Sequence, residues 1–519
     1  MASPHEKLAK SLEALRALQD RGVVAVRSGD LTRTHQERLV KNGFLQEVMK
    51  GWYIPARPDE ATGESTAWYA SFWGFCAAYL QERFGTNWSL SPEHSLLLHA
   101  GNMTVPRQLL VRSPRARNKI TTLPHDTSLF DTRAALPEAE QIAEKDDLRL
   151  FSVPAGLVRC GSGFFRQNAT DARAALAMVR DSSDVLALLL EGGRTTVAGR
   201  LAGAFRNIGR DRIADDIVKT MQTADYDIRE KDPFEDTINL ILPAREQSPY
   251  VNRIRLIWQE MRGLVIERFP KEPERLKDID AYMERVEKIY VKDAYHSLSI
   301  EGYRVSPELI ERVRRDAWNP DENEDDREHR NALAARGYWQ AYQAVHESVR
   351  KVLEGDNPAA VGDDDHGDWY REMFGPSVTA GLLRTADLAG YRNDQVYIRR
   401  SMHVPPRHEA VRDCMPVFFD LLREEPEPSV CVVLGHFVFV YIHPYMDGNG
   451  RMGRFLMNLM LAAGGYPWTV IPVEERNTYM AALEEASVQQ NIGPFAEFIA
   501  DLVEKGLQGE PSLKVPGEA

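Results

Sequence analysis

The chain has 519 residues, 43% hydrophobic and 27% charged, with a formal net charge of −13. At roughly 100–200 residues per domain this predicts about three soluble globular domains, and the acidity argues against nucleic-acid binding by the chain as a whole. Four scattered cysteines (Cys76, Cys160, Cys414, Cys431) with no C-x-x-C pair argue against a disulfide scaffold and a zinc site, and predict a reducing, cytoplasmic setting. No window approaches 18 apolar residues, and residues 1–22 lack a continuous apolar core. Neither a membrane partner nor a signal peptide is therefore expected.

Residues 5–21 place Leu8, Leu12, Leu15 and Leu18 on one helical stripe. A second helix is predicted to end at Lys41, with Ser28 or Asp30 as its N-cap. Val48 to Ile54 reads as a hairpin turning at Lys50-Gly51. Helix, helix and hairpin make a winged-helix plan over residues 1–57. The Gly51-Trp52-Tyr53-Ile54-Pro55 ending resembles the N-terminal domain of AbiEi-type antitoxins. Ten Lys/Arg against six Asp/Glu give this segment a local charge of +4, so DNA is an expected partner, with protein docking as the alternative.

Residues 60–245 mix helix-like and strand-like stretches, including Ser91–Leu98, Gln108–Val111 and Leu148–Val153. They predict a mixed α/β domain with no catalytic constellation. The basic run Arg112–Lys119 reads as a solvated loop.

From 246 to 519 the pattern is mostly helical. Asp363–Asp368 reads as an acidic, turn-rich break between helices. Val430–Tyr441 is rich in valine and aromatics, so its period leaves strand and helix both open. It leads into His443-Pro444-Tyr445-Met446-Asp447-Gly448-Asn449-Gly450-Arg451-Met452-Gly453-Arg454. The following run, Phe455–Ala463, has strong helix formers and stops at Gly464-Gly465. Gly448-Asn449-Gly450 is therefore expected where a loop enters a helix N-terminus, a place that favours anions. Arg451 and Arg454 supply phosphate-directed charge, Asp447 is a hard oxygen ligand suited to Mg²⁺, and His443 is a general-base candidate.

This segment resembles the signature of the Fic family, H-P-F-x-[D/E]-G-N-G-R-x-x-R, departing from it only by Tyr445 in place of Phe. The resemblance implies a helical C-terminal Fic domain with a β-hairpin flap, preceded here by the winged-helix and α/β domains. Its catalytic core would span about 330–505, and Val430–Tyr441 would be a core helix. The implied activity is AMP transfer from ATP, with Mg²⁺, to a Tyr, Ser or Thr hydroxyl of a target protein. His443 would be the base and Asp447 the metal ligand. Gly448, Asn449, Gly450, Arg451, Gly453 and Arg454 would hold the phosphates.

Three further segments gain meaning from the same resemblance. Ser297-Leu298-Ser299-Ile300-Glu301-Gly302 matches the family's inhibitory pattern [S/T]-x-x-x-E-[G/N], on a helix near 288–302, with Glu301 expected on Arg454. Leu388–Ile398 followed by Met402–Pro406 is similar to the flap, with Val396, Tyr397 and Ile398 facing the target. Tyr479 and Asn491 would meet the adenine, although the family's tandem aromatic pair is Tyr479-Met480 here. His436 is read as a core histidine and His403 as a turn residue. Alternatives are a DNA-binding regulator or antitoxin-like protein that senses nucleotide, and a de-AMPylase. A homo-oligomer is left open.

Overall fold

The computed structural model describes residues 3–58, 64–235, 248–273, 278–315, 329–509 and 514–516. The expected boundary at 245/246 lies outside the described residues. The chain divides into two compact units, one of residues 1–253 with 397–404, the other of 254–396 with 405–519.

In the first unit, α1 (Pro4–Gln19) opens with a capping box, in which Glu6 N donates to Ser3 Oγ and Ser3 N to the Glu6 carboxylate. Leu15 and Leu18 of its stripe are buried. β1 (Val26–Arg27), α2 (Arg33–Lys41), β2 (Leu45–Met49) and β3 (Trp52–Pro55) follow. The N-cap of α2 is Thr32, which accepts from His35 N. Asp30 instead accepts from Arg27 N, so the expected cap at Ser28 or Asp30 is corrected. β2 and β3 pair antiparallel around Lys50-Gly51, with Gly51 at φ +83° as such a turn requires. β1 covers the other edge of β3.

α3 (Thr66–Phe84) carries the aromatic run, and its buried face includes Trp68, Phe72 and Phe75. It packs in one apolar core with β4 (Ser89–Leu90), β5 (Gln108–Ser113) and β7 (Ser128–Arg133). With β6 (Lys119–Thr122) these strands form a sheet in the order β4-β5-β7-β6, β5 and β7 being parallel. Ser91–Leu98 is helical after its first residue. Ser91 caps α4 (Pro92–His99) there, with proline in the first turn. The hairpin β8 (Ile142–Lys145) and β9 (Leu148–Phe151) precedes six helices, α5 (Val153–Arg159), α6 (Phe164–Gln167), α7 (Ala169–Ala177), α8 (Ser183–Glu191), α9 (Thr195–Asn207) and α10 (Asp211–Thr223). Residues 397–404 pack into this unit. Val404 joins its core, Val105 N donates to Met402 O, and the buried Glu64 carboxylate pairs with Arg399 and Arg400. His403 is buried, and its N donates to Ser401 Oγ at 3.0 Å.

The second unit is helical: α11 (Pro249–Arg268, whose first turn counts with the first unit), α12 (Ile279–Ile300), α13 (Pro307–Arg314), α14 (His329–Glu354), α15 (Pro358–Thr379), α16 (His408–Glu424), α17 (Pro428–Ile442), α18 (Asn449–Ala463), α19 (Arg476–Val488) and α20 (Gly493–Leu507). α17 and α18 are its centre, each with 13 of 15 residues buried. That all-round burial is why α17 has no one-sided helical period and reads by propensity as a strand.

Two expectations fail here. Asp363–Asp368 is no break; it lies in the middle of α15. Asp363 pairs with Arg423, Asp365 with Lys351 and Ser348, and Asp368 with Arg371. The opposite face buries Val361, Trp369, Tyr370, Met373 and Phe374. Nor does a strand form at Val396-Tyr397-Ile398, so the expected β-hairpin flap is an irregular loop. Pro405 and Pro406 have no N–H to give a ladder. Their carbonyls are taken by side chains, Pro405 O by Gln395 Nε2 at 3.0 Å and Pro406 O by the Arg392 guanidinium.

Candidate active site

Three chain turns of the second unit build the site. The first is the end of α17. His443 caps it in the left-handed conformation at φ 54°, ψ 60°, which lifts the imidazole off the helix. Its Nδ1 lies 3.0 Å from Val440 O. A carbonyl only accepts, so Nδ1 carries the proton and Nε2 presents a lone pair. Burial pulls the pKa of the ring down to about 4; the Val440 carbonyl opposes this and the Arg392 charge reinforces it. The ring is thus a neutral base at physiological pH.

The second turn is the loop into α18. Asn449 closes it, accepting from Tyr445 N at 2.9 Å and donating to Tyr445 O at 2.8 Å. Gly448 sits at φ +80°, and a side chain there would meet the Phe374 ring at 2.8 Å. Asp447 is exposed, and Gly448 N donates to its Oδ1 at 2.6 Å. Arg451 is buried between the rings of Tyr303 (5.3 Å) and Phe374 (5.1 Å), 3.7 Å from Asp447, and its Nε has no hydrogen-bond partner. Gly453 has a packing role: a Cβ would press on Val440 at 3.0 Å and His436 at 3.3 Å.

The third turn ends α12. Gly302 N bonds Ser299 O and Tyr303 N bonds Leu298 O, with Gly302 at φ +86°, a Schellman stop. This stop places Glu301 at the helix end, where its carboxylate meets Arg454 Nη2 at 2.8 Å. Ser297 takes Arg454 Nε on its hydroxyl (3.0 Å) and Nη2 on its carbonyl (3.1 Å). Burial alone would raise the Glu301 pKa, but Arg454 and then Arg451 outweigh it and hold the carboxyl below its usual range. A Cβ at Gly450 would collide with Glu301 Oε1, so the carboxylate lies against the first turn of α18. It occupies an anion position: a helix N-terminus beside two arginines. Arg454 Nη1 is buried and has no hydrogen-bond acceptor.

Several contributors escaped sequence reasoning. Asp293 is buried under Ser297, and burial raises its pKa to about 6 although Tyr338 and Trp468 both donate to it, at 2.6 and 3.3 Å. Its one sequence signal is its spacing, four residues before Ser297 on the same helical face. Tyr303, Phe374 and Arg392 gave no signal by themselves. Tyr479, expected against adenine, is only 1% exposed. Its ring packs with Phe495 and Phe498, and its hydroxyl shares a 2.8 Å hydrogen bond with His436 Nε2. The face needed for stacking is covered here. Asn491 is exposed, and its Oδ1 accepts from Gly493 N at the start of α20. His436 is buried in the core as expected. Among the described residues no group of three or more His, Cys, Asp or Glu is placed to hold a metal, and no helix is long and apolar enough to cross a membrane.

A Fic/DOC family profile matches residues 366–461. The chain is 32% identical over 222 residues to "Protein adenylyltransferase Fic" of Drosophila willistoni, covering 42% of this chain and 41% of that protein. It is 30% identical over 224 residues to the protein of the same name from Nematostella vectensis, covering 42% and 48%. The match thus spans less than half the length of these relatives. Among solved structures it is similar to a fragment of Fic-1 from C. elegans, with 19% identity, a TM-score of 0.37, and coverage of 66% of this chain and 91% of that one.

Proposed function

We propose that the protein is an adenylyltransferase that moves AMP from ATP to a Tyr, Ser or Thr hydroxyl of a target protein, a reading supported by the Fic/DOC profile match over residues 366–461. The observation that carries this reading is the juxtaposition of a neutral imidazole with an anion cradle. The cradle has two buried guanidinium N–H groups without acceptors, at the entrance of α18.

In this reading His443 Nε2 takes the proton of the target hydroxyl. The freed oxygen forms a bond to the α-phosphorus, and the bond from that phosphorus to the bridging oxygen breaks, releasing pyrophosphate. The α18 N-terminus and Arg451 take phosphate charge, and Arg454 takes the γ-phosphate. Such chemistry rests on positioning and electrostatic stabilisation, so few groups suffice. Mg²⁺ is commonly held by one or two carboxylates together with substrate phosphates. The exposed Asp447 carboxylate fits that role, and the ion would supply further charge neutralisation. Glu301 acts as a brake, because its carboxylate holds the guanidinium that the γ-phosphate needs.

Incubating the full-length Glu301→Gly protein with ATP and a cell lysate, followed by peptide mass spectrometry, tests the product. The expected result is a phosphodiester-linked adenosine on Tyr, Ser or Thr side chains of target proteins or of the enzyme itself. Adducts that lack adenosine, or none at all with the folded protein, would refute the proposal.

A further inference from the structure

We propose that Arg392 is a positioning residue for His443, locking the backbone of the general base to the two stems of the loop that begins at Asp394 and returns at Pro406. The inference rests on the reading of His443 as the base. Arg392 is 1% exposed, and its guanidinium is spent on main-chain carbonyls. Nε donates to His443 O at 2.8 Å, Nη1 to Asp394 O at 3.0 Å, and Nη2 to Pro406 O and, at 3.5 Å, to Ile442 O. Its own backbone N donates to Pro444 O at 2.9 Å. One residue thus grips three successive residues of the catalytic turn.

The grip has a physical purpose. A histidine at φ 54° is in a sparsely populated backbone region that persists where the surroundings over-determine it. The last carbonyls of α17 have no partner within the helix. A planar guanidinium can bond carbonyls on both sides at once, whereas an ammonium is a point donor. The same charge sits near the imidazole and favours the neutral ring, against the Glu301 and Asp447 carboxylates, which favour the charged one. Arg392 thereby fixes where Nε2 points and ties that direction to the loop stems.

The test uses full-length Glu301→Gly as parent, carrying Arg392→Lys or Arg392→Met. Arg392→Lys keeps the charge and most of the buried volume, and serves where Arg392→Met does not fold. In Arg392→Lys, kcat should fall by about tenfold or more, since small misplacements of a reacting group cost up to about 10²-fold. KM for ATP and Tm should stay near the parent's. In Arg392→Met, the His443 imidazole, followed by histidine NMR with His443→Ala for assignment, should titrate at higher pH because a positive neighbour is gone. An Arg392→Lys protein with parental kcat would overturn the proposal. So would a parallel loss of Tm, ATP affinity and kcat, which marks a purely structural residue. Transfer that survives His443→Ala would instead overturn the general-base reading. The NMR titration needs no turnover and still decides whether Arg392 acts on the ring.

Discussion

Replacing His443 by alanine in the Glu301→Gly background should cut AMP transfer by about 10²–10⁴-fold, the usual cost of a lost general base. The side chain follows the end of α17 as its left-handed cap and is only part-buried, so the helix loses little packing. Tm and ATP binding should therefore hold. No other group in the catalytic loop replaces it: Asp447 is tied to Gly448 N and faces Arg451, and Tyr445 is buried with its phenol pushed well above the usual range by that burial. Label transfer by His443→Ala at the parental rate would remove His443 from the mechanism.

The second large effect concerns Glu301. The wild-type protein should bind ATP yet transfer slowly, because Arg454 is already held at 2.8 Å by the Glu301 carboxylate. Glu301→Gly removes that competitor, and the γ-phosphate gains a charge-assisted partner. Hydrogen bonds to charged groups are worth about 1.5–3 kcal/mol, so autoadenylylation should rise by about 10–100-fold. Adding Arg454→Ala should abolish the gain, because both changes act through one contact. A folded Glu301→Gly protein no more active than wild type would leave α12 as an ordinary packing helix. Faster removal of AMP by the wild type than by Glu301→Gly would place Glu301 in the reverse reaction.

What was legible in the sequence was what is local. The loop and helix start at Gly448–Gly450 are written in consecutive residues, as is the Ser297–Gly302 turn, and the Lys50-Gly51 hairpin follows from one glycine. What was hidden depends on distant partners. The aspartates of α15 look like a solvated break until Arg423 and Lys351 arrive from other helices. The segment Val396–Ile398 looks like a strand, but its neighbours Pro405 and Pro406 have no donors and their carbonyls are claimed by side chains. The pairing of Asp293 with Tyr338 and Trp468 is equally hidden, since the three come from separate stretches of chain. Arg392 gives no signal of its own, because nothing in its vicinity announces a carbonyl 51 residues away. Tyr479 matched an expected motif position, yet packing turned its ring into the core.

In the proposed reaction the group transferred from ATP is AMP. Full-length Glu301→Gly protein incubated in parallel with α-labelled and γ-labelled ATP decides it. Label should enter protein from the α position alone and vanish with His443→Ala; protein labelled from the γ position would mark a kinase and contradict the account.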